Sequence, residues 1–565
     1  MGWMNRVGPA LGAALAAMWL AGCGGDGPPP TDRDTTQGPV AGIEAAGAYA
    51  WKGIPFAKPP VGSLRWKAPV PATWSQRLQV TKFGNACLQN GRIYGPGSNN
   101  TYDGTIATTL NTPVGSEDCL TLNIWRPATQ SAGLPVIFFV YGGSNISGYT
   151  ADPVYDGTAL AKAANAVVVT ANYRVGPLGF FNLAQLKGGT DTAEDSGNFA
   201  LLDILQVLKF IQGNAAVFGG DAGNVTLMGQ SAGAINVWAL MASPAAKGLF
   251  HKAVPISGGI SLATNLPPGM IPTLNPASTY ATQASTLLAR LLIADGKAVD
   301  LASAQAYIAT QSAADIAAYM RGKDAGTILG TLLAAGLTGS GPIPDGNLLP
   351  ADPIAAMAAG RYNKMPVLAS NTNEEGKLFA PFLTLLGGPA GFRITDAARF
   401  NMMAAFNPDA PSTLTEADIL DPAYTPSTTA VTGWTAKANL LGSVFMSPSR
   451  DNVLNTLKTQ QSNVWYYRFD WAQEPAPWNT IYGAAHAFDL PFLFGNFGPS
   501  LFSNAANSKA NEPGRLALSS AMMASLAAFA RNGDPNTAEL GTSWQPWPAK
   551  LLFDATPAAK RITAQ

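Results

Sequence analysis

Five short apolar runs punctuate this chain: PVIFFV (135–140), AVVVTA (166–171), NVTLMG (224–229), MPVLAS (365–370) and VWYYRF (464–469). They are rich in β-branched and aromatic residues, and the first four end in loops containing Gly or Asn. Apolar runs of this length with no polar alternation read as strands buried on both faces. Helical spacing lies between them: Leu201, Ile204, Leu205, Leu208 and Ile211 form one apolar stripe before the third run. Alternating strands and helices predict an α/β fold, a largely parallel sheet with helices on both sides. Functional residues are then expected at the carboxyl ends of the strands. The Ala-rich stretch 281–321, with Ala284, Leu287, Leu288, Leu291 and Leu292 on one stripe, reads as helices lying over that edge and walling a pocket. Packing away from the site is the alternative.

The third run leads into Gly229-Gln230-Ser231-Ala232-Gly233, the only Gly-x-Ser-x-Gly in the chain. An apolar stretch, AINVWALMA, follows. Strand, tight turn and helix together form the setting in which a serine hydroxyl is raised above a sheet. Small neighbours are needed because the turn is cramped, and the helix N-terminus then favours negative charge beside the serine. A serine hydroxyl also needs a base. Only two histidines are available. His251, in GLFHKAVPISG, follows the serine with no acid loop between. His486, in GAAHAFDLPFLFG, lies far downstream among small residues. The order Ser, acid, His favours His486. The acid is expected after a strand, as Glu374 or Glu375 in NTNEEG, with Asp345 in PIPDGNLLP as a rival whose Pro/Gly surroundings suit a structural turn. The loop YGGSNISG (141–148) follows an earlier strand and offers the Gly143 and Ser144 amides, with that of Ala232, as donors to an oxyanion.

Lys+Arg and Asp+Glu both number 35, so the chain has no net charge to attract nucleic acid. The N-terminus carries Arg6, an apolar run from Val7 to Leu20, and then Ala21-Gly22-Cys23. This has the form of an export signal ending in a lipobox, with Cys23 lipidated; a plain signal peptide is the alternative. Residues 1–22 are therefore expected to be a signal, 23–40 a polar Gly/Pro-rich tether, and 41–565 the folded domain. The expected location is the cell envelope, with lipid as the membrane partner. Export leaves Cys87 and Cys119 as a pair for a disulfide, the alternative being two buried thiols.

Taken in order, GIPFAKPPVGSLRWKAP, SEDCLTLNIW, the segment 196–234 around GQSAG, LFHKAVPISGG, the EEG turn, HAFDLPFLFG and FARNGDPN resemble the type-B carboxylesterase/cholinesterase family of α/β-hydrolases. The resemblance implies a Ser231–Glu375–His486 triad, a Cys87–Cys119 disulfide, a supporting role for Ser257, and a structural one for His251. It implies hydrolysis of carboxylic esters through an acyl-enzyme, with no metal or cofactor. Two departures bear on the substrate. Gln230 stands where the family usually has Glu, and the oxyanion loop reads Gly142-Gly143-Ser144-Asn145 rather than Gly-Gly-Gly or Gly-Gly-Ala. The loop between the two cysteines holds Tyr94 and Tyr102 but no Trp. In cholinesterases that loop supplies the Trp that stacks on choline; without it and without the acidic neighbour, the resemblance points away from quaternary ammonium esters, towards neutral short-chain or aromatic ones. Polymeric, xenobiotic or toxin esters are the alternative substrates. A non-catalytic surface-binding protein of the same fold is the alternative from another class.

Overall fold

The structure is a computed structural model that describes residues 30–337 and 340–565. Its centre is an 11-stranded sheet. In spatial order the strands are Lys560–Ala564, Leu551–Ala555, Val464–Phe469, Val367–Thr372, Lys252–Ile256, Gly220–Gln230, Leu134–Val140, Val167–Ala171, Thr121–Pro127, Ala48–Pro55 and Ile43–Ala45. Neighbours run parallel from Leu551–Ala555 through to Val167–Ala171. Antiparallel strands finish both edges. All five apolar runs are strands of the parallel part, as expected. Parallel order puts three predicted loops at one edge: 141–148, the turn at Ser231, and 373–376.

The helix Phe199–Asn214 is buried on nearly every side, wider than the single stripe its spacing suggests. A helix that is apolar all round belongs in the interior. Its Asp203 is fully buried and holds Arg174 by two side-chain bonds of 2.7 and 2.8 Å. The pair ties the loop after Val167–Ala171 to this helix. Arg65 likewise takes both oxygens of Glu117 (2.7 and 2.6 Å), joining the GSLRW and SEDC segments.

Two expectations are corrected. The tether ends earlier than residue 40. Asp32–Asp34 and Pro39–Ala41 pair as strands, and Leu78–Gln79 completes their sheet. The buried Asn214 bonds Thr36 and Gln37, so this stretch belongs to the domain. Polar composition concealed it, because most of its partners are backbone and amide groups, with Val40 the residue of 30–40 that enters the apolar core. The signal, Cys23 and the rest of the tether lie outside the described residues. The 281–321 stretch is helical, as Ala277–Ala294, Leu301–Thr310 and Ala313–Gly322, with Leu287, Leu288, Leu291 and Leu292 buried. However, none of its residues lines the central pocket. It packs instead on the turns at 62–64 and 184–186.

Cys87 and Cys119 are bonded, 32 residues apart, with a Cα–Cα distance of 4.9 Å. The closed loop carries Arg92, Ile93, Tyr94 and Tyr102 into the pocket wall. Replacing both cysteines with Ser should lower stability by about 3–4 kcal/mol, the loop-entropy value for this span. Denaturant unfolding of the oxidised and double-Ser proteins would read it. Equal midpoints and slopes would show that the bridge adds nothing.

Candidate active site

Ser231 follows the strand Gly220–Gln230 and caps the helix Ala232–Ala242. Its backbone is left-handed at φ 58°. The turn is held by Ser231 N–H donating to Ile256 O (2.8 Å) and by Ala234 N–H donating to Ser231 O (2.9 Å). The flanking glycines are required by crowding. A Cβ on Gly233 would lie 2.1 Å from Val140 O, and one on Gly229 would lie 2.5 Å from Gly233 O. A side chain at either position would therefore force the strand and helix apart.

His486 lines the same pocket as Ser231, and Glu375 is buried against the imidazole. His486 Nδ1 bonds Glu375 Oε2. Glu375 Oε1 accepts from Asn371 Nδ2 (2.8 Å) and from Thr372 N–H (2.9 Å). Burial pushes the carboxyl up. The charge and hydrogen bond of the adjacent His486, with the other hydrogen bonds to the carboxylate, together outweigh it and hold Glu375 below the usual carboxylate range. Ser257 is buried against it, outside hydrogen-bond geometry. An ionised Glu375 fixes the Nδ1–H tautomer and leaves the Nε2 lone pair free to accept. In this structure that lone pair faces the Gln230 amide, Nε2 to Nε2 at 3.0 Å. Among the described residues no hydrogen bond joins Ser231 Oγ to His486. Catalytic hydrogen bonds of this kind are often unmade before substrate binds.

The other candidates take structural places. Glu374 pairs with Lys377 (2.6 Å) and accepts from Ala484 N–H (3.1 Å), which locks the acid turn to the histidine loop. Asp345 caps its own turn, accepting from the amides of Asn347, Leu348 and Leu349. His251 is half-buried; its Nδ1 accepts from Val225 N–H (3.2 Å), at the opposite end of the strand from Ser231.

The 141–148 loop runs alongside Ser231. A Cβ on Gly142 would come within 2.7 Å of Ser231 Cβ. Gly143 and Ser144 have φ of 110° and 58°. Among the described residues no backbone carbonyl takes the N–H of Gly143, Ser144 or Ala232. Ser144 is exposed into the pocket. Asn145 anchors the loop from below by exchanging hydrogen bonds with Asn236 (2.9 and 3.4 Å) on the helix after Ser231. Sequence reading noted Asn145 only as a departure. The buried Asn236, in an otherwise apolar helix, was the missed signal. Phe379, 4.7 Å from the imidazole between ring centroids, was also missed. The cavity measures about 230 Å³ and is walled chiefly by aromatic and aliphatic side chains.

A mostly parallel sheet with a strained serine at a strand–helix turn, facing a buried Glu–His pair, defines an α/β-hydrolase. The comparisons narrow this. The Carboxylesterase family model matches residues 30–556. A para-nitrobenzyl esterase from Bacillus subtilis is 30% identical over 531 residues, covering 91% of this chain and 92% of that protein. A fumonisin B1 esterase from Sphingopyxis macrogoltabida is also 30% identical, covering 94% and 89%. A solved PNB esterase superposes with a TM-score of 0.69 at 28% identity, covering 94% and 97% of the two chains. The chain belongs to the Carboxylesterase family and is a carboxylic ester hydrolase.

Proposed function

We propose that Ser231 is the nucleophile, His486 the general base and acid, and Glu375 the carboxylate that orients and charge-balances the imidazole. The observation that carries this reading is the buried Glu375–His486 pair opening onto the same pocket as Ser231 on its strained turn. As an ester enters, the Gln230 amide yields the Nε2 lone pair to the Ser231 hydroxyl. Oγ then attacks the carbonyl carbon while its proton passes to His486. The oxyanion is received by the Gly143, Ser144 and Ala232 amides, which have no carbonyl to release. His486 protonates the departing alcohol, and the acyl group stays on Oγ. Water, deprotonated by the same imidazole, releases the acid. Every step is a proton or acyl transfer among these groups, so the reading calls for no metal or cofactor.

The aromatic walls suit aromatic or short apolar groups around the scissile ester. The name of one relative, a para-nitrobenzyl esterase, favours an aromatic group at that end. The reading extends to export with lipidation at Cys23. It is supported by the lipobox-like LAGC and by a disulfide suited to an oxidising compartment.

Labelling tests the assignment. An organophosphate phosphorylates only an activated serine. Peptide mass spectrometry should find the adduct on Ser231, with loss of p-nitrophenyl acetate hydrolysis in step with labelling. An adduct elsewhere, or full activity after labelling, would overturn it.

A further inference from the structure

One charged side chain in the pocket wall is unexplained by ester hydrolysis. Arg399, on the helix Asp396–Ala405, is 4% exposed and lines the cavity. Its Nη2 donates to Asp396 Oδ1 at 2.6 Å. Its Nε and Nη1 have no hydrogen-bond partner among the described residues. These two nitrogens carry three of the five N–H bonds of a guanidinium. The ring of Phe392 lies 4.3 Å from the guanidinium carbon and supplies only a cation–π contact. The phenols of Tyr482 and Tyr94 also face the guanidinium, neutral partners outside hydrogen-bond geometry with Nε and Nη1. A buried cation with only one carboxylate bond costs stability unless something else pairs with it.

A second arginine lines the same cavity. Arg92 is half-buried and makes no side-chain hydrogen bond or ion pair among the described residues. Tyr94 stands with the two arginines. Burial pushes its phenol up, while Arg399 and Arg92 pull the other way, so both cations act on this one hydroxyl. Against these two positive charges the cluster holds one carboxylate, Asp396, whose side chain is about half exposed. The other pocket acid, Asp152, sits with Tyr149 and Tyr155, where burial pushes it up to about 6. An aromatic path joins the cluster to the reacting centre. Phe488, two residues after His486, packs on Phe502 at 4.7 Å, and Phe502 packs on Tyr94 at 6.2 Å.

We propose that Arg399 and Arg92 form a carboxylate subsite, two aromatic contacts from His486, and that the preferred esters carry a second, free carboxylate at the end remote from the scissile bond. This rests on the reading of Ser231 as nucleophile and amends the expectation of a wholly neutral ester. The reacting end stays apolar and the distal end is anionic. A planar guanidinium matches a carboxylate, and unpaired buried donors favour a substrate that satisfies them over one that does not.

Matched substrates test it: p-nitrophenyl hydrogen adipate, suberate and sebacate, each beside its methyl-capped neutral counterpart. The readout is the ratio of kcat/KM for the free acid to that for the capped ester. It should exceed one by about tenfold at one chain length or more, the worth of a charge-assisted hydrogen bond. It should fall by about tenfold in both Arg399→Gln and Arg92→Gln, and by less in Arg399→Lys. A ratio at or below one at every length, or one that neither substitution to Gln changes, would overturn the subsite. A purely structural Arg399 would lower both rates together. Where Arg399→Gln does not fold, Arg92→Gln still decides, together with competitive inhibition of the wild-type enzyme by monomethyl suberate against dimethyl suberate. Monomethyl suberate should bind about tenfold tighter, and equal inhibition would overturn the subsite. Ser231→Ala separates the failures. Activity that survives in it removes the catalytic reading, whereas an inactive Ser231→Ala with a flat ratio removes the subsite alone.

Discussion

Ser231→Ala is expected to lower kcat for p-nitrophenyl acetate by about 10⁴–10⁶, the range seen when a triad serine is removed. Little else should change. The substitution deletes one oxygen that makes no hydrogen bond to His486 in the resting structure, so the Glu375–His486 and Gln230–His486 contacts remain. A companion variant shows why the residue is there. At φ 58° and ψ −125°, Ser231 occupies backbone space that favours glycine. Strain of this kind costs about 1–3 kcal/mol and is kept where function demands it. Ser231→Gly should therefore be equally inactive yet more stable than the wild type, while Ser231→Ala, which keeps a Cβ, should not gain. Activity assays and denaturant unfolding of the three proteins read this. A Ser231→Gly protein no more stable than Ser231→Ala would mean the turn is not strained by its side chain.

The parallel half of the sheet was legible because its strands are apolar on both faces and so appear as uninterrupted runs. The edges were not. Thr121–Pro127 and Ala48–Pro55 pair antiparallel, and their sequences mix Thr, Asn, Arg and Lys among apolar residues. Lys252–Ile256 was hidden by its shortness and by Pro255 within it. Ser231 and His486 reach one pocket, with Glu375 buried against His486, because Ser231 and Glu375 closely follow parallel strands and His486 lies in a short turn of small residues. The pocket walls were illegible. They come from 92–102, 378–382, 396–399 and 487–507, segments far apart in sequence with no shared pattern. The 281–321 helices carried a clear apolar stripe, but a stripe says only that a face is covered, not what covers it. Gln230 shows the same limit. Its identity suggested a lost charge, while its contact with the base depends on a side-chain rotamer that no spacing encodes.

The Cys87–Cys119 loop illustrates how one scaffold element sets specificity. Its disulfide fixes where residues 88–118 run, and the residues it presents to the pocket include Arg92 and Tyr94. A loop presenting a cation cannot also recognise one. The absence of Trp and the presence of Arg92 therefore point the same way, against cationic alcohols, and the unpaired donors of Arg399 extend that logic to an anionic group.

Glu375→Gln is expected to lower kcat by about 10³–10⁴, through the tautomer rather than through lost packing. Oε1 of Glu375 is fixed by two donors, Asn371 Nδ2 and Thr372 N–H. A glutamine must therefore place its carbonyl oxygen there, since its NH₂ would meet donor against donor. The NH₂ then faces His486 Nδ1, which can accept it only by giving up its proton. The proton moves to Nε2, and the lone pair that should receive the Ser231 proton is gone. The imidazole nitrogen NMR shifts of Glu375→Gln should show the proton on Nε2 of His486. A proton still on Nδ1 would sink the tautomer account and leave loss of charge as the cause. The acid behaviour should change in a defined direction as well. A carboxyl held below its ordinary value of 4.5 contributes stability that is present above that pH and lost as the pH falls through the folded-state value. The stability difference between wild type and Glu375→Gln should accordingly be largest above pH 4.5 and shrink below it. A difference that stays constant with pH across that range would mean that Glu375 is not held ionised by its partners.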